Sequence, residues 1–182
     1  MKHTLRLLIA ISTGIFFSLS ATAQENLPSV EKLSFMVGEW KGTGWMLGKD
    51  RKRKSFSQSE YIKSKANNQA LMVDGLGYEI DSSGSVTDRV IHKAFGIISF
   101  NGEKESITMI SFSELKGRME SEFVFIEEKK MYWSFKEANG ATIKFTEDFS
   151  VADQWKEIGE ISMNGKDWYK FFEMNLKRQT LD

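Results

Sequence analysis

Between residues 39 and 177, apolar and polar positions exchange with a period of two, in short runs separated by turn-forming residues. Met131, Trp133 and Phe135 share one face of such a run. Ile143, Phe145, Glu147 and Phe149 share another, and Trp168, Lys170, Phe172 and Met174 a third. A two-residue period is that of a strand with one face against a core. The pattern predicts strands near 39–47, 54–65, 69–80, 90–100, 105–113, 118–126, 130–137, 141–150, 154–163 and 167–177. Val151–Ile158 fits a helical turn as an alternative. The breaks carry the expected punctuation: the basic run Lys49–Lys54, Asn67-Asn68, Asp81–Gly84, Leu115–Gly117, Glu127–Lys130 and Asp153. Three Asn-Gly pairs, at 101–102, 139–140 and 164–165, add the strongest short-range hairpin signal, because they suit the two positive φ angles of a tight turn.

About ten strands without helical insertions exclude βαβ units. An open sheet that wide would leave long exposed edges, which closure removes. The expected fold is all-β: a single antiparallel up-and-down barrel of about ten strands, wide enough to enclose a small ligand. Ahead of it, Pro28 and Ser29 introduce a short helical lead-in, in which Val30, Leu33 and Val37 fall on one stripe.

Residues 1–23 read as a secretory leader. Lys2 and Arg6 precede a mostly apolar run from Leu7 to Leu19, and Ala21-Thr22-Ala23 is a small-x-small cleavage site. The run is too short for the roughly 30 Å of a bilayer core. Cleavage after Ala23 leaves residues 24–182 as one barrel domain in the periplasm or outside the cell. The chain has no cysteine, so neither a disulfide framework nor a lipid-modified cysteine is expected. Once Lys2 and Arg6 leave with the leader, the 25 basic residues fall two short of the 25 acidic ones. That balance argues against a nucleic-acid partner, which requires a basic face.

The most specific local motif is Gly38-Glu39-Trp40-Lys41-Gly42-Thr43-Gly44. Trp40, Gly42 and Gly44 alternate onto one face, so a large indole is followed by two positions without side chains. This suits a plug at one barrel end and a strand that bends or is closely approached beyond it. With the lead-in, the motif resembles the calycin-type barrels, and more narrowly a secreted bacterial family of unknown function (DUF1579-like) distantly related to nitrobindin and the lipocalins. His92–Asn101 and Ser162–Trp168, followed by Phe172-Glu173-Met174 and Arg178, agree with that resemblance. It implies a structural, barrel-closing set of Trp40, Gly42, Gly44 and Arg178, with the late arginine stacked on the tryptophan. Nitrobindin-like haem binding uses a histidine late in the chain, and none follows His92 here. The resemblance therefore supports the barrel and disfavours haem; no cofactor is expected.

Catalytic signals are weak. His92 is the one histidine beyond the leader, and no Gly-x-Ser-x-Gly elbow accompanies it. One histidine without cysteine cannot build a zinc site. Asp81–Asp88 superficially resembles a calcium loop but lacks the glycine at its sixth position, and His92 stands where the bidentate glutamate belongs. Arg118, Glu120 and Glu122 share a face opposite Met119 and Phe123. The row suits a solvated outer wall; turned inward, Arg118 would anchor a ligand carboxylate. Trp133, Phe135, Phe145 and Phe149 are the candidate lining of an apolar cavity.

These residues suggest a non-enzymatic exported barrel that binds a small apolar or amphipathic molecule. Two alternatives stay open: a cavity isomerase or hydrolase using His92 with an inward carboxylate such as Glu147, and a filled barrel acting as a structural or interaction domain.

Overall fold

A computed structural model describes residues 29–114 and 116–180; the leader and Pro28 lie outside them. Eleven strands form one antiparallel sheet: β1 Gly38–Leu47, β2 Arg53–Lys65, β3 Ala70–Ile80, β4 Val86–Asn101, β5 Ser106–Ser113, β6 Gly117–Glu122, β7 Val124–Glu127, β8 Lys130–Lys136, β9 Thr142–Asp148, β10 Gln154–Ser162 and β11 Tyr169–Arg178. Their order across the sheet is β6-β5-β4-β3-β2-β1-β11-β10-β9-β8-β7. The sheet curls into a nearly closed barrel whose two edges, β6 and β7, meet at a seam where β6 approaches β8.

One predicted strand, 118–126, is two. The chain changes partners at Phe123: its N–H donates to the Ile107 carbonyl (2.9 Å) on the β5 side, whereas Val124 pairs with Tyr132 of β8. The stretch Val151–Ile158 resolves as strand from Gln154 onward.

The Asn-Gly turns are built differently from the two-residue hairpins expected. None of the three asparagines has a positive φ. Each side chain instead accepts backbone N–H groups ahead of it: Asn101 from Glu103 and Lys104, Asn139 from Ala141, Asn164 from Lys166 and Asp167. Only the glycine of the second and third pairs takes the left-handed conformation (Gly140 φ 86°, Gly165 φ 73°), and in the first turn Glu105 takes it. The asparagines set the start of longer loops through side-chain-to-backbone bonds. Asp81 works the same way, accepting the N–H groups of Ser83 and Ser85 at a hairpin.

The lead-in is a 3-10 helix, Glu31–Met36. A three-residue turn places Val30, Leu33 and Met36, all buried, on one stripe, so Met36 takes the place expected for Val37. The helix lies across one barrel end, tied to the β2–β3 turn by the Val30 N–H to Asn68 carbonyl bond (3.0 Å).

At that end Trp40 is fully buried and its Nε1 donates to the Met36 carbonyl (2.8 Å). Phe149 (centroids 5.5 Å) and Trp155 (5.9 Å) meet its edges. The Arg178 guanidinium lies 4.1 Å over the ring; it donates to the carbonyls of Val37 and Phe35 and pairs with Asp153 (2.9 Å). Opposite Gly42 and Gly44, β11 comes so close that a Cβ at Gly42 would stand 2.1 Å from the Asn175 carbonyl oxygen. The missing side chains let the first and last strands pair tightly beside the plug.

Candidate functional site

Above the Trp40 floor the barrel encloses a cavity of about 470 Å³, within the range usual for small-molecule sites. One wall is aromatic. Trp133 of β8 stacks on Phe145 of β9 (centroids 4.6 Å) and on Phe135 (6.1 Å). Across from it, β4 and β5 contribute His92, Ala94, Gly96, Ile98, Met109 and Ser111.

The floor of the cavity is acidic. Glu60 on β2, Glu147 on β9 and Glu157 on β10 all face inward and are at least nine-tenths buried. Glu147 accepts two indole N–H groups, from Trp133 (2.8 Å) and Trp155 (2.7 Å). Glu157 stands directly opposite it in the β9–β10 ladder and shares a hydrogen bond with it. Burial raises both carboxyls; the indole donors hold Glu147 down, while the charge of Glu147 pushes Glu157 well above the usual carboxylate range. Glu60 accepts from Gln58 Nε2 (2.7 Å), and burial, aided by the charges of Glu147 and Asp74, moves it up to about 8.

The sheet makes room for these groups. Gln58 pairs with Gly77 and Glu60 with Gly75 in the β2–β3 register. A Cβ at Gly75 would stand 2.6 Å from the Glu60 carboxylate, and one at Gly77 would stand 2.3 Å from the Gln58 amide oxygen. Gly77 in turn pairs with His92 of β4. Burial holds the His92 imidazole below its ordinary value, so it is neutral at pH 7.

Of the residues singled out from sequence, Trp133, Phe135 and Phe145 line the cavity. Phe149 does not: it stacks on Trp155 (4.9 Å) and packs on Phe35 (5.3 Å) within the floor. Arg118 is on the outside, exposed and paired with Glu120 (3.1 Å), because the inner face of β6 carries Met119 and Ser121. It cannot anchor a ligand in the cavity. His92 and Glu147 line the same cavity, but Glu147 is engaged by two indoles and Glu157, and no hydrogen bond among the described residues joins it to His92.

Sequence reading passed over Glu60, Gln58 and Glu157. The signal was their phase. Phe56, Gln58, Glu60 and Ile62 alternate together on β2, as do Trp155, Glu157, Gly159 and Ile161 on β10. A charged residue in phase with buried aromatic and branched neighbours belongs to the interior.

Comparison with known proteins locates the fold. Rv2717c from M. tuberculosis superposes with a TM-score of 0.59 at 10% identity, covering 84% of this chain and 98% of that one. The S-type phycobiliprotein lyase CPES from Guillardia theta gives 0.59 at 13% identity, covering 86% and 96%. A DUF3598-family protein of unknown function from Nostoc punctiforme gives 0.50 at 13% identity, covering 84% of this chain and half of that one. At these identities the likeness is one of fold: a calycin-like barrel. No protein-family model matches the chain, and no curated protein does. Among the described residues no helix is long and apolar enough to cross a membrane.

Proposed function

We propose that this protein is an exported, non-enzymatic barrel that binds a small amphipathic molecule in its central cavity. The observation that carries this reading is the cavity itself: an unfilled 470 Å³ space with an aromatic wall and a polar floor, in a barrel whose end is otherwise densely plugged. A barrel serving only as a scaffold would fill that volume with side chains. The calycin-like fold, shared with a phycobiliprotein lyase, supports the binding reading. The leader-like residues 1–23 and the resemblance to the DUF1579-like secreted family support export to the periplasm or medium.

Native mass spectrometry of the protein purified from its own periplasm or medium, against a denatured sample, tests this. An added small-molecule mass that disappears on denaturation is the expected result. A bare polypeptide mass, with no quenching of Trp133 and no emission change from Nile red titrated into the protein, would overturn it in favour of an interaction domain.

A further inference from the structure

The floor of the cavity gathers three carboxyls, and no lysine or arginine among the described residues joins them there. The cationic groups that line the cavity, Lys93 on β4 and Lys116 in the β5–β6 turn, are both exposed. Lys116 pairs with Glu137 across the seam. Glu60 is partnered by an amide and Glu147 by two indoles, while no N–H group among the described residues donates to Glu157. Buried carboxyls normally occur with a cation or a metal. Here no group of three or more His, Cys, Asp or Glu side chains among the described residues is placed to hold a metal ion. The Ser121 hydroxyl, 94% buried on β6 between the cavity-lining Met119 and Phe123, makes no hydrogen bond among the described residues. The glycines at 75 and 77 show that the acidic floor is accommodated by the backbone around it.

We infer that the cavity takes a small amine, its protonated amino group seated beside Glu60, Glu147 and Glu157 and its apolar or aromatic body lying along Trp133, Phe135 and Phe145. This rests on the cavity-binding reading above and names its ligand class. An ammonium group carries three donors and no acceptor, matching a floor of acceptors. It supplies the positive charge that the protein omits, and charge-assisted bonds to carboxylates are the stronger kind. An anionic ligand would bring a further negative charge to three acids already set against one another. The aromatic wall suits a flat or chain-like body, and a cation close to the indole rings gains from their faces.

Binding displaces protons. Burial and neighbouring acidic charge favour the protonated forms of Glu60 and Glu157, and the charge of an arriving cation offsets both causes. The groups facing that cation are Glu60, Glu147 and Glu157; Asp74 lies behind Glu60 on β3, and His92 stands on the β4 wall in its neutral form.

The test uses a matched set: 2-(1-naphthyl)ethylamine, 2-(1-naphthyl)ethanol and 1-naphthylacetate, titrated into the mature protein by calorimetry in two buffers of different ionisation enthalpy. The amine should bind about tenfold or more tighter than the alcohol, the carboxylate should bind weakest, and the buffer dependence should report proton release with the amine alone. Isosteric Glu60→Gln and Glu157→Gln together should reduce the amine's preference over the alcohol to about threefold or less and abolish the amine-linked proton release. If the alcohol equals the amine, or the carboxylate binds tighter, the amine inference is overturned while cavity binding stands. If none of the three binds, both readings fall.

Discussion

Glu60 shows how a single group sets the pH response. Folding keeps on it a proton that the unfolded chain releases above about pH 4.5. Between there and its folded value of about 8, the folded state binds more protons than the unfolded one. Stability therefore falls as pH rises through that window, by at most about 1.4 kcal/mol per pH unit for each such group. Glu157 adds to the same trend. Asp148 and Glu173, whose carboxyls are held low chiefly by their hydrogen bonds to Ser150 and Lys170, act oppositely, their contribution disappearing as pH falls below about 4. Urea denaturation should accordingly find greatest stability near about pH 5, declining toward about pH 9, and Glu60→Gln should flatten the decline. An unchanged slope would remove Glu60 as its source. Arg178 sets a different expectation. It serves two carbonyls, Asp153 and the Trp40 face at once, and truncation strands these half-buried carbonyls. Arg178→Ala should cost about 2–4 kcal/mol. Arg178→Lys should recover only part of that, because the planar fork is lost.

Strands differ in how openly the sequence displays them. Alternation marks nearly all their bounds, because one face of each is buried and the other solvated. It cannot show where the backbone changes partner. Met119, Ser121, Phe123 and Phe125 keep their phase straight through the break between β6 and β7, since side-chain direction continues while the hydrogen bonds move from β5 to β8. It also cannot show a bulge. The register of β10 on β11 slips so that Gly159 faces Phe172 and Glu160 faces Lys170. Phe171 is the extra residue and packs on Phe145 (5.7 Å), and Lys170 turns outward to Glu173 (2.8 Å). The shared face expected for Lys170 and Phe172 is broken there. Phase alone left Arg118 open to either side; only pairing with β5 decided it. Close strand approach has its own test. Gly42→Ala sets a methyl against backbone on β11 and should destabilise by about 1–3 kcal/mol or more. At Gly96 the nearest atom to an added Cβ is the Met109 sulfur at 3.6 Å. Gly96→Ala should therefore fold normally and narrow the cavity, weakening Nile red binding without shifting the urea midpoint.

The molecule as a whole is two runs of consecutive hairpins, β1–β6 and β7–β11, joined by one distant pairing between β1 and β11. Residues 35–39 and 178–179 meet at that pairing, through Arg178 and through the Gln179 N–H to Glu39 carbonyl bond (2.8 Å). The first and last strands therefore lie in the middle of the sheet, and the sheet's own edges, β6 and β7, are consecutive in sequence. Relabelled as a circle, the polypeptide has a second natural opening at Phe123, where no ladder runs from β6 to β7. A circular permutant with Thr180 linked to Ser29 and new ends between Glu122 and Val124 would read β7 through β11 and then β1 through β6, a meander in which every hydrogen-bonded ladder joins strands consecutive in sequence. The one long-range ladder, β1 on β11, then becomes a local pairing. Stopped-flow refolding should be faster than for the natural order, with the cavity still binding Nile red.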